Sequence, residues 1–256
     1  MRGKVFLVGA GPGAADLLTI RAARVIASAD ILFHDALVNP EVVALATRAE
    51  KVPVGKRHGL YSTAQAFINK RLIDAARRHA VVVRLKGGDP LMFGRAQEEI
   101  DALAAAGVEI EIVSGITAAL AAGATLGVSL TQRGLARNVT FVTPRVGKDE
   151  AVSDWASAVI ASDTAVIYMG AGEARSIANT LIARGVSPGR PVALVESASL
   201  PGEAQHVARL DQLGELSLRL GAGPAIIVVG EILRDKLAQA QELPATNSAP
   251  LLRRPA

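Results

Sequence analysis

Apolar runs alternate with charged, periodic segments along most of this chain. Val5–Val8 is a short apolar run that stops at Gly9-Ala10-Gly11-Pro12-Gly13. Leu17–Ala29 then carries Leu18, Ala22, Val25 and Ile26 on or near one face, the spacing of an amphipathic helix. Asp30–Asp35 reads as a strand, Glu41–Arg48 as a helix and Lys51–Val54 as a third short strand. Ser62 or Thr63 is placed to cap a helix running to about His79. Val81–Leu85 is a β-branched run suited to a buried strand, and Gly87-Gly88-Asp89-Pro90 ends it by exposing backbone. Phe93–Ala106 follows as a helix and Val108–Val113 as a strand. Five alternating units of this kind predict a parallel α/β sheet.

The rhythm restarts beyond a segment of small residues. Strands are expected at Asn138–Thr143, Thr164–Met169, Pro191–Val195, Gln205–Arg209 and Ala225–Val229, with helices at Ser153–Ile160, Ala171–Ala183 and Leu210–Ser217. The Ser197–Ala204 connection is too short for a helical crossover, so a mixed sheet is expected in this half. The fold expected is therefore α/β with two domains, 1–118 around a parallel sheet and 119–236 around a mixed one. Residues 237–256, rich in Ala, Pro and Gln, are expected to form a disordered tail. Ile112–Gln132 holds no charge over a length that could span a bilayer. Its Ala, Gly, Ser and Thr content is unlike a Leu/Ile/Phe-rich span, and a close-packed segment between domains is the better reading.

Composition narrows the chemistry. Half of the 256 residues are hydrophobic, enough to bury a core in one or two domains. Cysteine is absent, which excludes disulfides, iron–sulfur clusters and thiolate zinc sites. His34, His58, His79 and His206 lack ligand spacing, so no metal site is expected. The apolar run near the start is too short and too quickly broken by glycine for a signal peptide, which fits a cytoplasmic enzyme. Aromatics are only 3% of residues, too few for the stacking platforms of a single-stranded nucleic-acid binder. The formal charge of +4 suits an acidic small molecule in a basic cleft.

Strand, glycine turn and helix together build ligand sites at the carboxyl end of a parallel sheet, and this chain has two such elements. Gly9-Ala10-Gly11-Pro12-Gly13-Ala14 can be laid on the dinucleotide fingerprint, with Asp30 or Asp35 as the ribose-binding acid, which would make an NAD(P)-dependent oxidoreductase. Two residues disagree. Pro12 has no N–H where a pyrophosphate needs donors, and Asp16 sets a negative charge near the same helix start.

Val8-Gly9-Ala10-Gly11-Pro12-Gly13 with Leu17-Leu18-Thr19 and Arg21-Ala22 resembles the opening signature of the tetrapyrrole methylase family. Arg84-Leu85-Lys86-Gly87-Gly88-Asp89-Pro90, with Phe93-Gly94-Arg95 and Glu98-Glu99, resembles the second signature of the branch acting on uroporphyrinogen III. His34-Asp35-Ala36-Leu37-Val38, Val54-Gly55-Lys56-Arg57, Gly115-Ile116-Thr117-Ala118, Tyr168-Met169-Gly170 and Gly223–Gly230 add matches in the family's order. The resemblance implies a homodimer whose ligand cleft lies between the two domains. It implies transfer of methyl groups from two S-adenosylmethionine (SAM) molecules to carbons 2 and 7 of uroporphyrinogen III. The product would be precorrin-2, feeding siroheme or cobalamin synthesis. The nearest alternative is a family member acting on another corrinoid precursor.

Carried over residue by residue, the resemblance assigns SAM binding to Pro12, Gly87, Gly88, Asp89, Met92, Thr117, Ala118, Met169, Ala198, Pro224 and Ala225. Arg95, Glu98 and Arg133 fall on substrate-binding positions. The two arginines suit a substrate with eight carboxylates, which guanidinium groups bind in bidentate fashion, whereas Glu98 could equally form a helix-surface pair with Arg95. Asp35 falls on the general base and Lys56 on the proton donor, with Arg57 and His58 on the same basic loop. No metal is implied. Three departures lie on the substrate side: Ala96-Gln97 where Gly-Gly is common, Gln132 where His is common, and Pro144-Arg145 in place of a Gly-His turn. The chain also starts at the first strand, so a fused NAD-binding domain, with its oxidation and iron insertion, is not expected.

Overall fold

The structure is a computed structural model that describes residues 3–55, 65–147, 151 and 153–242. Two compact units divide it. The first is Met1–Gly127 with two later returns, Val195–Ala204 and Ala222–Pro224; the second holds the remainder. The division therefore falls after Gly127 and not at the expected Ala118, and it is discontinuous.

In the first unit the described elements run β1 (Lys4–Gly9), α1 (Ile20–Ala27), β2 (Ile31–His34), α2 (Pro40–Ala44), β3 (Glu50–Pro53), α3 (Gln65–Ala76), β4 (Val81–Lys86), α4 (Ala96–Ala105), β5 (Glu109–Val113) and α5 (Ala118–Leu126). Their strands form a parallel sheet in the order β3-β2-β4-β1-β5. The chain leaving β1 moves toward the β3 edge, whereas the chain leaving β4 moves toward β5. Right-handed crossovers send the two to opposite faces, and a crevice opens where they diverge, at the carboxyl ends of β1 and β4. The cores agree. Ala22, Ile26, Val42 and Val43 pack with Val8, Leu32, Val83 and Leu85 on one face. Ile68, Leu72 and Leu103 pack with Leu7, Phe33 and Val82 on the other.

Several boundaries shift for local reasons. The first helix begins at Ile20, not Leu17, because Thr19 caps it by accepting from the Ala22 N–H. Ala15–Leu17 forms a separate 3-10 turn. The fourth helix begins at Ala96, not Phe93, because Phe93 and Arg95 are left-handed at φ 53° and 55°. The uncharged segment contains α5, which Gly127 ends in the left-handed conformation at φ 62°. Among the described residues no helix is long and apolar enough to cross a membrane.

The second sheet and its helices comprise β6 (Val139–Val142), α6 (Trp155–Ile160), β7 (Thr164–Ile167), α7 (Ala174–Ala183), β8 (Pro191–Glu196), β9 (Ala204–Arg209), α8 (Leu213–Leu216), β10 (Ala225–Gly230) and α9 (Arg234–Glu242), with the end of β8 and the start of β9 belonging to the first unit. The second sheet's strand order is β6-β7-β10-β8-β9; β6 and β7 are parallel and β10 is antiparallel to β7, so the sheet is mixed, as the short connection implied. Ile167, Ile177, Leu181, Leu194, Leu213 and Ile227 form its core. The helix α9 occupies residues expected to start a disordered tail; 243–256 lie outside the described residues.

Candidate active site

Three loops meet at the carboxyl ends of β1, β4 and β5 with almost no side chain between them. The Gly11 and Gly88 backbones exchange hydrogen bonds of 3.1 and 2.7 Å, a two-residue bridge joining the two glycine turns. A Cβ on Gly9 would lie 2.6 Å from Gly115 Cα, and one on Gly115 would lie 2.3 Å from the Gly88 carbonyl oxygen. Glycine is required there because backbone packs on backbone. Asp89 fastens the junction: Oδ1 accepts from the Leu91 N–H at 2.9 Å and Oδ2 from the Gly115 N–H at 3.0 Å. Its carboxylate thus ties the turn after β4 to the turn after β5.

Gly87 differs from its neighbours. It is exposed, its φ is not left-handed, and nothing lies within 4 Å of where its Cβ would be. Neither packing nor backbone conformation requires glycine at this position, so its bare backbone is open to close approach by a ligand.

The first glycine turn is poorly suited to a pyrophosphate. The Ala10 N–H donates to the Lys86 carbonyl at 2.7 Å, that of Gly11 to Gly88, and that of Ala14 to Ser199 Oγ at 3.1 Å. With Pro12 lacking an N–H and a 3-10 turn following, the helix N-terminus that a dinucleotide needs is displaced to Ile20.

The Ser197–Glu203 loop belongs to the same unit. Ser197 and Ser199 are left-handed at φ 50° and 69°, and Glu203 Oε2 accepts from the Ser199 N–H at 2.7 Å and from Thr125 Oγ1 at 2.8 Å. Leu200 packs against Gly13, where a Cβ would lie 2.6 Å from the leucine Cγ. Ala198 is buried within this loop, and the Pro224 carbonyl accepts from the Ser197 N–H at 2.9 Å.

Of the residues that the resemblance assigns to donor binding, the first unit holds Pro12, Gly87, Gly88, Asp89, Met92, Thr117, Ala118, Ala198 and Pro224, and it also holds Asp35, Arg95 and Glu98. Thr117 occupies the N-cap position of α5 without a side-chain capping hydrogen bond, and it is buried. Arg133, Met169 and Ala225 belong to the second unit, where Met169 is 45% exposed with φ 56°. Lys56, Arg57 and His58 lie outside the described residues.

Arg95 and Glu98 bind one another through two 2.7 Å hydrogen bonds, both on exposed side chains. The Arg95 hydrogen bonds hold the Glu98 carboxyl below its ordinary pKa. Behind Asp35 stands a group that the sequence shows only as part of a motif. Arg84 is 2% exposed, Lys86 3% and Glu99 0%. Arg84 reaches Asp35 Oδ1 at 2.6 Å and Glu99 Oε1 at 3.0 Å, while Lys86 reaches Glu99 Oε2 at 3.0 Å. Burial, with the Arg84 charge next, pushes the Lys86 ammonium below its ordinary pKa, and Glu99 opposes this. Charged residues at alternate positions of an otherwise β-branched buried strand are the signal that could have found them.

A glycine-stitched crevice on a parallel sheet, followed by a mixed sheet, is the arrangement of the tetrapyrrole (corrin/porphyrin) methylases, whose family pattern matches residues 4–214. The chain belongs to that family. It is 42% identical over 249 residues to the uroporphyrinogen-III C-methyltransferase of Pseudomonas aeruginosa, covering 96% of this chain and 100% of the relative. It is 44% identical to the siroheme synthase of Zymomonas mobilis over 90% of this chain, and spans only 49% of that longer relative. The Thermus thermophilus uroporphyrin-III C-methyl transferase complexed with S-adenyl homocysteine superposes with a TM-score of 0.80 at 40% identity, covering 91% of this chain and 100% of that one.

Proposed function

We propose that this chain is a SAM-dependent methyltransferase that methylates uroporphyrinogen III at carbons 2 and 7 to give precorrin-2, for siroheme or cobalamin synthesis. The observation that carries the reading is Gly87: an uncovered glycine backbone directly after β4, in the turn whose Asp89 accepts from the Gly115 N–H. Such a surface fits a donor that needs close backbone contact and carbonyl oxygens.

When bound, SAM supplies an electrophilic methyl group on a sulfonium. Pro12, Gly87, Gly88, Met92, Thr117, Ala118, Met169, Ala198, Pro224 and Ala225 are proposed to hold it, with Asp89 acting through the loop it fastens. Methylating a pyrrole carbon places positive charge on the ring, and Asp35 is proposed to stabilise that charge or accept the proton that is lost. Lys56 is proposed as the proton donor. Arg95 and Arg133 are proposed to hold substrate carboxylates, and Glu98 is proposed to lie on the substrate side beside Arg95. Because Glu98 occupies the Arg95 fork, an incoming carboxylate competes with it. Holding the two reactants in line supplies most of the acceleration. A cytoplasmic homodimer is part of the proposal.

Incubation with SAM and uroporphyrinogen III, followed by mass analysis, tests this reading: products with one and two added methyl groups are expected. Binding of S-adenosylhomocysteine without any methylated product would make the chain a non-catalytic binder. Tight NADH binding without S-adenosylhomocysteine binding would restore the oxidoreductase reading.

A further inference from the structure

The Arg84–Glu99–Lys86 group is buried, charged and unused by the proposed chemistry. Arg84 lies on β4, level with Leu7 of β1 and Phe33 of β2, on the sheet face that α3 and α4 cover. An apolar side chain would satisfy such a position, and buried ion pairs are poor sources of stability compared with well-packed apolar residues. The guanidinium is held on three sides: Nε donates to Glu99 Oε1 at 3.0 Å, Nη1 to the Leu85 carbonyl at 3.2 Å and Nη2 to Asp35 Oδ1 at 2.6 Å. That Leu85 carbonyl also accepts from the Asp35 N–H at 3.3 Å. One residue thus grips the Asp35 carboxylate and shares an anchor with its backbone.

Glu99 is in turn fixed by three donors: Arg84, Lys86 Nζ and Gln65 Nε2, the last at 3.0 Å. Gly55 closes the other side of Asp35, since a Cβ there would lie 2.0 Å from the Ala36 nitrogen and 2.8 Å from the Asp35 carbonyl carbon. The Asp35 side chain stays 32% exposed while Arg84 and Leu85, which anchor it, are buried. We propose that Arg84 is a positioning residue that aims the Asp35 carboxylate at the reacting ring, with Glu99 as the buried clamp that fixes the direction of Arg84. The proposal rests on the reading of Asp35 as the base.

A double-mutant cycle on the full chain tests it, using Arg84→Gln, Asp35→Asn and both together. Turnover at saturating SAM, the S-adenosylhomocysteine dissociation constant and the melting temperature are the readouts. Arg84→Gln is expected to lower kcat by about tenfold or more, with donor affinity changed by less than about twofold. In the Asp35→Asn background the same substitution is expected to lower kcat by less than about twofold, since no carboxylate is left to aim. An equal fall in both backgrounds, or a parallel loss of donor affinity, would overturn the positioning role while leaving Asp35 as the base. Full turnover in Asp35→Asn would instead remove the base reading and this proposal with it. Should Arg84→Gln fail to fold, Glu99→Gln read in the same cycle decides: its effect on kcat must vanish in the Asp35→Asn background.

Discussion

The two five-stranded sheets are buried to similar depth but differ in what they bury. In the second unit the described interior polar groups are the hydroxyls of Ser162 and Thr164, set in a core of Ile167, Leu181, Leu194 and Ile227. Among the described residues the buried charged side chains are Arg84, Lys86 and Glu99, on β4 and α4 of the first unit, and Glu196 at the very end of β8, where the chain returns to the first unit. Sites that desolvate charge are unfavourable unless something is gained from holding it in place. The contrast fits the proposal that the chemistry lies at the carboxyl end of β4, with the second core left to ordinary apolar packing.

Substitutions of graded severity test the contrast. Glu99→Ala strands two buried cations and is expected to cost about 3–5 kcal/mol, read from denaturant midpoints. Leu194→Ala in the second core is expected to cost about 3 kcal/mol by transfer and cavity formation. The two should part in activity: turnover per folded molecule falls in Glu99→Ala and holds in Leu194→Ala. If both fell alike, the contrast would collapse.

Gly115→Ala comes next, at about 1–3 kcal/mol, because its Cβ meets backbone that cannot swing aside. S-adenosylhomocysteine binding measured by calorimetry should weaken with it. Thr19→Ala removes the cap of α1 and is expected to cost about 1 kcal/mol. The smallest effect is at the exposed Arg95–Glu98 pair. Glu98 titrates below its ordinary value, so its contribution is present above that value and is lost as pH falls through the lowered one. Carboxyl NMR should show Glu98 returning toward an ordinary pKa in Arg95→Ala. Stability should change by less than about 1 kcal/mol, while substrate affinity weakens and donor affinity holds.

The parallel and mixed sheets were legible because alternation and connection length are local properties, as at Val81–Leu85 and Ser197–Ala204. Boundaries set by side-chain capping or left-handed residues were less so: hydrophobic spacing carries Leu17 and Phe93 into helices that Thr19 and Arg95 begin later. The glycine turns announced themselves, yet that Gly9, Gly88 and Gly115 need one another depends on contacts between residues far apart in the chain. Asp89 was legible as a loop residue, but its two backbone partners were not. Arg84, Lys86 and Glu99 were hidden for a different reason. A charged residue in sequence is usually solvated, and only the α3 and α4 cover buries these.

The meeting of Gly9, Gly88 and Gly115 also bears on how this protein can change. Where three segments of the chain meet backbone to backbone, with Asp89 as the side chain that fastens them, the junction offers fixed dipoles that side-chain exchanges elsewhere do not redirect. On the proposed reading, a new ligand preference would be written into the side chains assigned around that junction, such as Met92, Thr117 or the Ser197–Glu203 loop, while the junction stays as it is.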